Sequence, residues 1–147
     1  MSVEKKRNLR VFCDGGARGN PGPGAAGWVI EEPAVKTRFL CGKYLGEVTN
    51  NQAEYRAVEL ALKTIGEEFD GRVRVDFFLD SKLVANQLSG LYKVKNPTLQ
   101  DIGWRIRSME KNISEVYYNY VSREENMEAD ALVNRAIDGK SEFRIRI

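Results

Sequence analysis

"VFCDGGARGNPGPGAAGWVI", Val11 to Ile30, passes from an apolar stretch through one aspartate and a run of glycines and prolines into a second apolar stretch. Leu9 to Cys13 reads as a first strand, "GGARGNPGPG" as its turn, and Ala25 to Ile30 as a second strand. Arg38 to Leu45 reads as a third, with Glu31, Glu32 and Pro33 marking the break before it. Connections this short favour antiparallel neighbours, so the opening predicts a three-stranded meander. Asp14 then sits where an apolar strand meets its turn. A carboxylate there can serve its own turn or something beyond it.

Working outward, "TNNQAEYRAVELALKTIGEEF" (Thr49–Phe69) is the clearest helix, with Thr49 and Gln52 at the spacing of a capping box. Its apolar stripe runs Val58, Ala61, Leu62, Ile65, Phe69. Four residues before Val58 stands Glu54, a glutamate at the head of a buried stripe, costly unless something pairs with it. "RVRVDFFLD" (Arg72–Asp80) is a strand that grows more apolar and then stops on Asp80. A helix follows from Ser81 to Leu88, closed by Gly90, and "NPTLQDIGWRIRSMEKN" opens another with Asn96 as cap and Pro97 in the first turn. "EVYYNYV" is a fifth strand. "NMEADALVNRAIDG" is a last helix, with Gly139 just past its end and Asp130 among apolar neighbours. The tail, residues 141–147 with its alternating "FRIRI", fits either an edge strand or a loose end. The order predicts an α/β domain with a mixed sheet and helices packed on it.

The 147 residues, 42% hydrophobic and 30% charged, carry no repeat or linker and read as one domain spanning 1–147. No apolar run approaches the roughly 20 residues of a membrane span. The start, "MSVEKKRNLR", is charged and lacks an apolar signal region, so the expectation is a cytoplasmic protein with Cys13 and Cys41 reduced. A net charge of +2 neither demands nor excludes a nucleic acid partner. The absence of histidine removes Ser-His-Asp and Cys-His mechanisms and most zinc sites, and leaves carboxylates as the chemistry.

Asp14 and Asp80 each end an apolar strand, Glu54 heads an apolar helix face and Asp130 interrupts a helix. Taken singly, each could be an ordinary cap or turn residue. Together, converged without a partner, they would repel one another and raise one another's pKa values. A hard cation resolves this: magnesium takes oxygen ligands from a few carboxylates plus substrate phosphate. Two such ions roughly 4 Å apart can activate water and stabilise the leaving oxygen in phosphodiester cleavage.

At this point four blocks, in order and over nearly the whole chain, resemble type 1 ribonuclease H. "DGGARGNPGPGAAGWV" resembles the family's first-strand motif with Asp14, and "TNNQAEYRAVELAL" its first helix with Glu54. "DSKLVANQLSGLYKVKN" resembles the block opened by Asp80, and "VSREENMEADALVNRAI" the closing block with Asp130. The resemblance implies a five-stranded mixed sheet, its first three strands antiparallel, with helices on both faces. It implies an endonuclease that cuts the RNA strand of an RNA–DNA hybrid and leaves 5′-phosphate and 3′-hydroxyl ends. Asp14, Glu54, Asp80 and Asp130 would hold two Mg²⁺ ions, with Mn²⁺ as a substitute. The positions matching Asn50 and Asn51 lie near sugars and bases and suit reading RNA through its 2′-hydroxyls. Those matching Asn20 and Thr49 grip a phosphate of the DNA strand.

The chain departs from its bacterial relatives in three places. Their histidine before the last acid is missing; the loop reads "SREENMEAD", with Arg123 as the nearest candidate to contact phosphate, and "REEN" resembles archaeal-type members. The basic protrusion after the second helix is absent, leaving Lys93 and Lys95, so hybrid binding should be weaker and more salt-dependent. Gln52 replaces a common arginine in the phosphate grip. The archaeal-type likeness adds double-stranded RNA as a second substrate expectation, and the protein is expected to be a monomer. The competing reading is a binding module of the same fold that grips hybrid without cutting it.

Overall fold

The computed structural model describes residues 6–147; the charged start at 1–5 lies outside the described residues. The sheet grows from β1 (Arg7–Ala17), where Leu9, Val11 and Cys13 are buried and Asn8 and Arg10 face solvent. β2 (Gly22–Glu32) pairs antiparallel with β1, and β3 (Thr37–Val48) antiparallel with β2, which makes the expected meander. On the other side of β1, β4 (Val73–Leu79) runs parallel, followed by β5 (Glu115–Tyr120), also parallel. The tail supplies β6 (Glu142–Arg146), antiparallel to β3. The order is β5-β4-β1-β2-β3-β6, so among the described residues the sheet has six strands rather than the five expected.

Helix α1 (Asn50–Glu68) lies across β1 and β2, and α2 (Lys82–Leu88) and α3 (Pro97–Glu110) join it on the same face. Their apolar stripes meet Leu9, Val11, Trp28, Ile30, Val75 and Phe77 in the main core. Helix α4 (Met127–Gly139) covers the opposite face, where Val133, Ala136 and Ile137 pack on Ala25. The capping box that starts α1 is present in both directions: Thr49 Oγ1 accepts from Gln52 N at 3.1 Å and Gln52 Oε1 from Thr49 N at 2.9 Å. Cys13 and Cys41 are buried and unlinked. Among the described residues, no helix is long and apolar enough to cross a membrane.

Three boundaries differ from the sequence reading. β1 does not end at Cys13: Gly15, Gly16 and Ala17 continue the ladder opposite Ala26, Ala25 and Gly24, so the turn is confined to residues 18–21. Glu31 and Glu32 belong to β2, the buried Glu32 being paired with the half-exposed Arg7 at 2.7 Å, and the break is a 3-10 turn at Pro33–Val35. Gly139 is the last residue of α4, not the residue after it; the left-handed C-cap is Lys140.

Candidate active site

Two glycines set where the helices meet the sheet. A Cβ on Gly15 would lie 2.2–2.3 Å from the backbone of Ala53 and Glu54, so only a residue without one lets the first turn of α1 touch β1. That contact sets Glu54 beside Asp14. Gly27, paired across the ladder with Asp14, does the same on the other face. Its Cβ would meet the Ala129 carbonyl at 2.6 Å and Val133 N at 2.9 Å, so α4 lies directly on β2 and carries Asp130 towards Asp14. Asp80 follows the last residue of β4, one step past Leu79, which pairs with Cys13.

The result is a cavity of about 280 Å³ lined by Asp14, Gly15, Gly16, Asn50, Glu54, Asp80, Arg123 and Asp130. Carboxylate oxygens of Asp14, Glu54 and Asp80 all lie within 4.8 Å of one another. Asp130 belongs to the same cavity but not to that tight set. It is exposed in the first turn of α4, while Ala129, Leu132 and Val133 take the apolar contacts that the sequence reading assigned to its surroundings.

The charges are under strain. Asp14 is pushed up to about 8, first by burial, then by the charge of Asp80, by a hydrogen bond shared with Asp130 and by Glu54. Burial and then Asp80 push Glu54 up to about 7, against the lowering effects of the Ser81 hydroxyl and the Arg123 charge. Glu54 Oε2 is buried with no hydrogen-bond donor among the described residues. Three convergent carboxylates with an orphaned buried oxygen and only oxygen ligands fit a hard divalent cation. Cys13 is no competitor as a ligand: burial pushes its thiol far up, and its Sγ donates to the Ala57 carbonyl.

The remaining candidates form the rim. Asn20 Oδ1 accepts from Asn50 N at 3.1 Å, and Asn50 Oδ1 accepts from Ala17 N at 2.9 Å. These two bonds tie the β1–β2 turn to the start of α1 and spend both amide oxygens on the protein. Thr49 is the cap of α1, and Asn51 is partly exposed beside it. Arg123 is exposed at the start of a 3-10 turn, Arg123–Asn126, on the cavity wall. Sequence reasoning missed Gly27, which reads as one small residue among several. It also missed Asn126, which is 1% exposed and donates from Nδ2 to the Cys13 carbonyl at 2.8 Å and to Asp80 Oδ2 at 3.2 Å. Its position before a helix disguises it as a cap.

A family described as Reverse transcriptase-like matches residues 12–136. Ribonuclease HI of Halobacterium salinarum is 37% identical over 92% of this chain and 68% of its own length. A bifunctional protein of Mycobacterium tuberculosis is 35% identical over 90% of this chain, which spans only 36% of that longer protein. Among solved structures, LC11-RNase H1 in complex with an RNA/DNA hybrid superposes with a TM-score of 0.78 at 37% identity, covering 90% of this chain and 98% of the other.

Proposed function

The chain belongs to the type 1 ribonuclease H family, whose members are hydrolytic nucleases, and from that premise we propose that it cleaves the RNA strand of RNA–DNA hybrids. The observation that carries the reading is the set of three carboxylate oxygens within 4.8 Å of one another. Asp14, Glu54 and Asp80 would hold divalent metal, with Asp130 as the rim ligand; two Mg²⁺ ions, replaceable by Mn²⁺, suit that set. When bound, such ions polarise the scissile phosphate and acidify water, which suits cleavage to 5′-phosphate and 3′-hydroxyl ends.

The chain's own residues would do the rest. With their amide oxygens already engaged, Asn20 and Asn50 keep their NH₂ groups as outward donors. Donors so placed suit a DNA phosphate at Asn20 and Thr49, and ribose 2′-hydroxyls at Asn50 and Asn51. Arg123, the cation of the cavity wall, would bind phosphate at the position where relatives carry histidine. Double-stranded RNA, whose groove resembles that of hybrid, is a second candidate substrate. We take the working form to be a cytoplasmic monomer.

The test is RNA-strand cleavage of a labelled hybrid in Mg²⁺ or Mn²⁺, with double-stranded RNA, EDTA and Asp80→Asn controls alongside. Cleavage that needs both metal and Asp80 is the expected result. Hybrid bound but uncut in either metal would replace the nuclease with a binding module.

A further inference from the structure

We propose that Asn126 is a positioning residue that holds the Asp80 carboxylate in its cation-binding orientation, an inference that rests on the divalent-metal reading of the site. Asn126 stands at the N-cap of α4, where an asparagine ordinarily accepts hydrogen bonds from its own helix's first amides. Here it makes no capping bond. Its side chain is instead turned into the protein, 1% exposed, and reaches two acceptors far away in sequence, the Cys13 carbonyl at 2.8 Å and Asp80 Oδ2 at 3.2 Å.

The chemistry fixes which end of the amide faces them. Turned over, its oxygen would confront a carbonyl and a carboxylate, three acceptors with no proton between them. The cost of the observed orientation is visible: Asn126 Oδ1 is buried with no donor among the described residues. A buried acceptor left unpartnered disfavours the fold, and the two bonds from Nδ2 act against that cost.

Those bonds join three of the four places that carry the acids: β1, the end of β4 and α4. Cys13 precedes Asp14 on β1 and pairs with Leu79, the residue before Asp80. Asp130 lies one helical turn beyond Asn126 on α4. The amide thus fixes one Asp80 oxygen and leaves the other directed by that constraint. Being neutral, it orients the carboxylate without competing with the cation for its charge, as a lysine or arginine would. This is the arrangement by which outer-shell hydrogen bonds orient metal ligands elsewhere.

The test compares the full chain with Asn126→Ala, which removes the donor, and Asn126→Ser, which keeps a shorter one. Folding is followed by circular dichroism and Mn²⁺ binding by isothermal titration calorimetry without nucleic acid. We expect folded Asn126→Ala to bind Mn²⁺ about 10–100-fold more weakly, with Asn126→Ser between it and the wild type. Hybrid cleavage by Asn126→Ala should recover as Mn²⁺ is raised, which a misplaced helix would not allow. Wild-type Mn²⁺ affinity in the folded variants overturns the proposal while leaving the metal site intact; a wild-type chain that binds no Mn²⁺ overturns both. If neither variant folds, the wild-type Asn126 side-chain amide resonances decide. They should shift with Mg²⁺ along the binding curve, and unmoved resonances would overturn the role.

Discussion

At the scale of single residues, the site is a set of charges placed where folding alone would exclude them. Asp14, ordinarily near 3.8, is pushed up to about 8, and Glu54, ordinarily near 4.5, to about 7. Between the ordinary values and the raised ones, the folded metal-free chain binds more protons than the unfolded chain. The contribution of these two groups to stability therefore falls as pH rises from about 4 to about 8, and levels off above that. Asp14→Asn removes the charge but keeps the shape. In EDTA it should be more stable than the wild type by several kcal/mol near pH 8 and no more stable near pH 4, as read by urea unfolding. Saturating Mg²⁺ should erase or reverse the gain, because the variant has lost a ligand. Asp14, Glu54 and Asp80 are legible in the sequence as acids where the apolar pattern asks for none. Asn126 is not legible, because its acceptors lie 113 and 46 residues away and its local setting already supplies a reason for an asparagine.

At the scale of elements, the acids converge because two glycines let helices touch the sheet. Gly15→Ala places a methyl group 2.2 Å from the Ala53 backbone, and neither β1 nor the start of α1 can yield without moving Asp14 or Glu54. The expected cost is about 3 kcal/mol in urea unfolding, with loss of metal binding even where the protein remains folded. Gly66→Ala is the contrasting case. Gly66 is exposed near the end of α1 with nothing within 4 Å of its missing Cβ, so the change should stabilise by about 0.5 kcal/mol through helix propensity. The same physics explains why the end of β1 is not legible from the local sequence. Glycine in a sequence signals a turn when only the local chain is considered, yet Gly15 and Gly16 are extended and paired. What selects glycine at position 15 is a helix arriving from 38 residues further on, and no local pattern records that approach. The helices themselves were legible because capping and apolar spacing are local, as the box at Thr49 and Gln52 illustrates.

At the scale of the whole molecule, the strand order separates what holds the fold from what would perform the chemistry. β6 lies three strands from β1, at the far edge of the sheet from the carboxylates. Its alternation suits two different surfaces. Phe143 packs on the α4 face, against the core cluster there and under the Arg135 guanidinium, which is 4.3 Å from the ring centre. Arg144 turns to the other face and pairs with Glu67 at 3.0 Å and Glu68 at 3.2 Å, two acids at the negative end of α1. Exposed ion pairs contribute little, so most of the loss on deleting residues 141–147 should come from Phe143 and the uncovered β3 edge. We expect the shortened chain to lose roughly 2 kcal/mol in urea unfolding and to melt at a lower temperature. An uncovered β3 also presents unpaired backbone groups, so the truncated protein should associate on concentration, measurable by light scattering. Hybrid cleavage well below the melting temperature should be retained, since the approaches that place the acids, α1 on Gly15 and α4 on Gly27, do not involve β6. An unchanged melting temperature would make β6 an appendage rather than a brace. A parallel fall in activity at low temperature would instead mean that the sheet transmits the loss of its edge across β3 and β2 to Asp14.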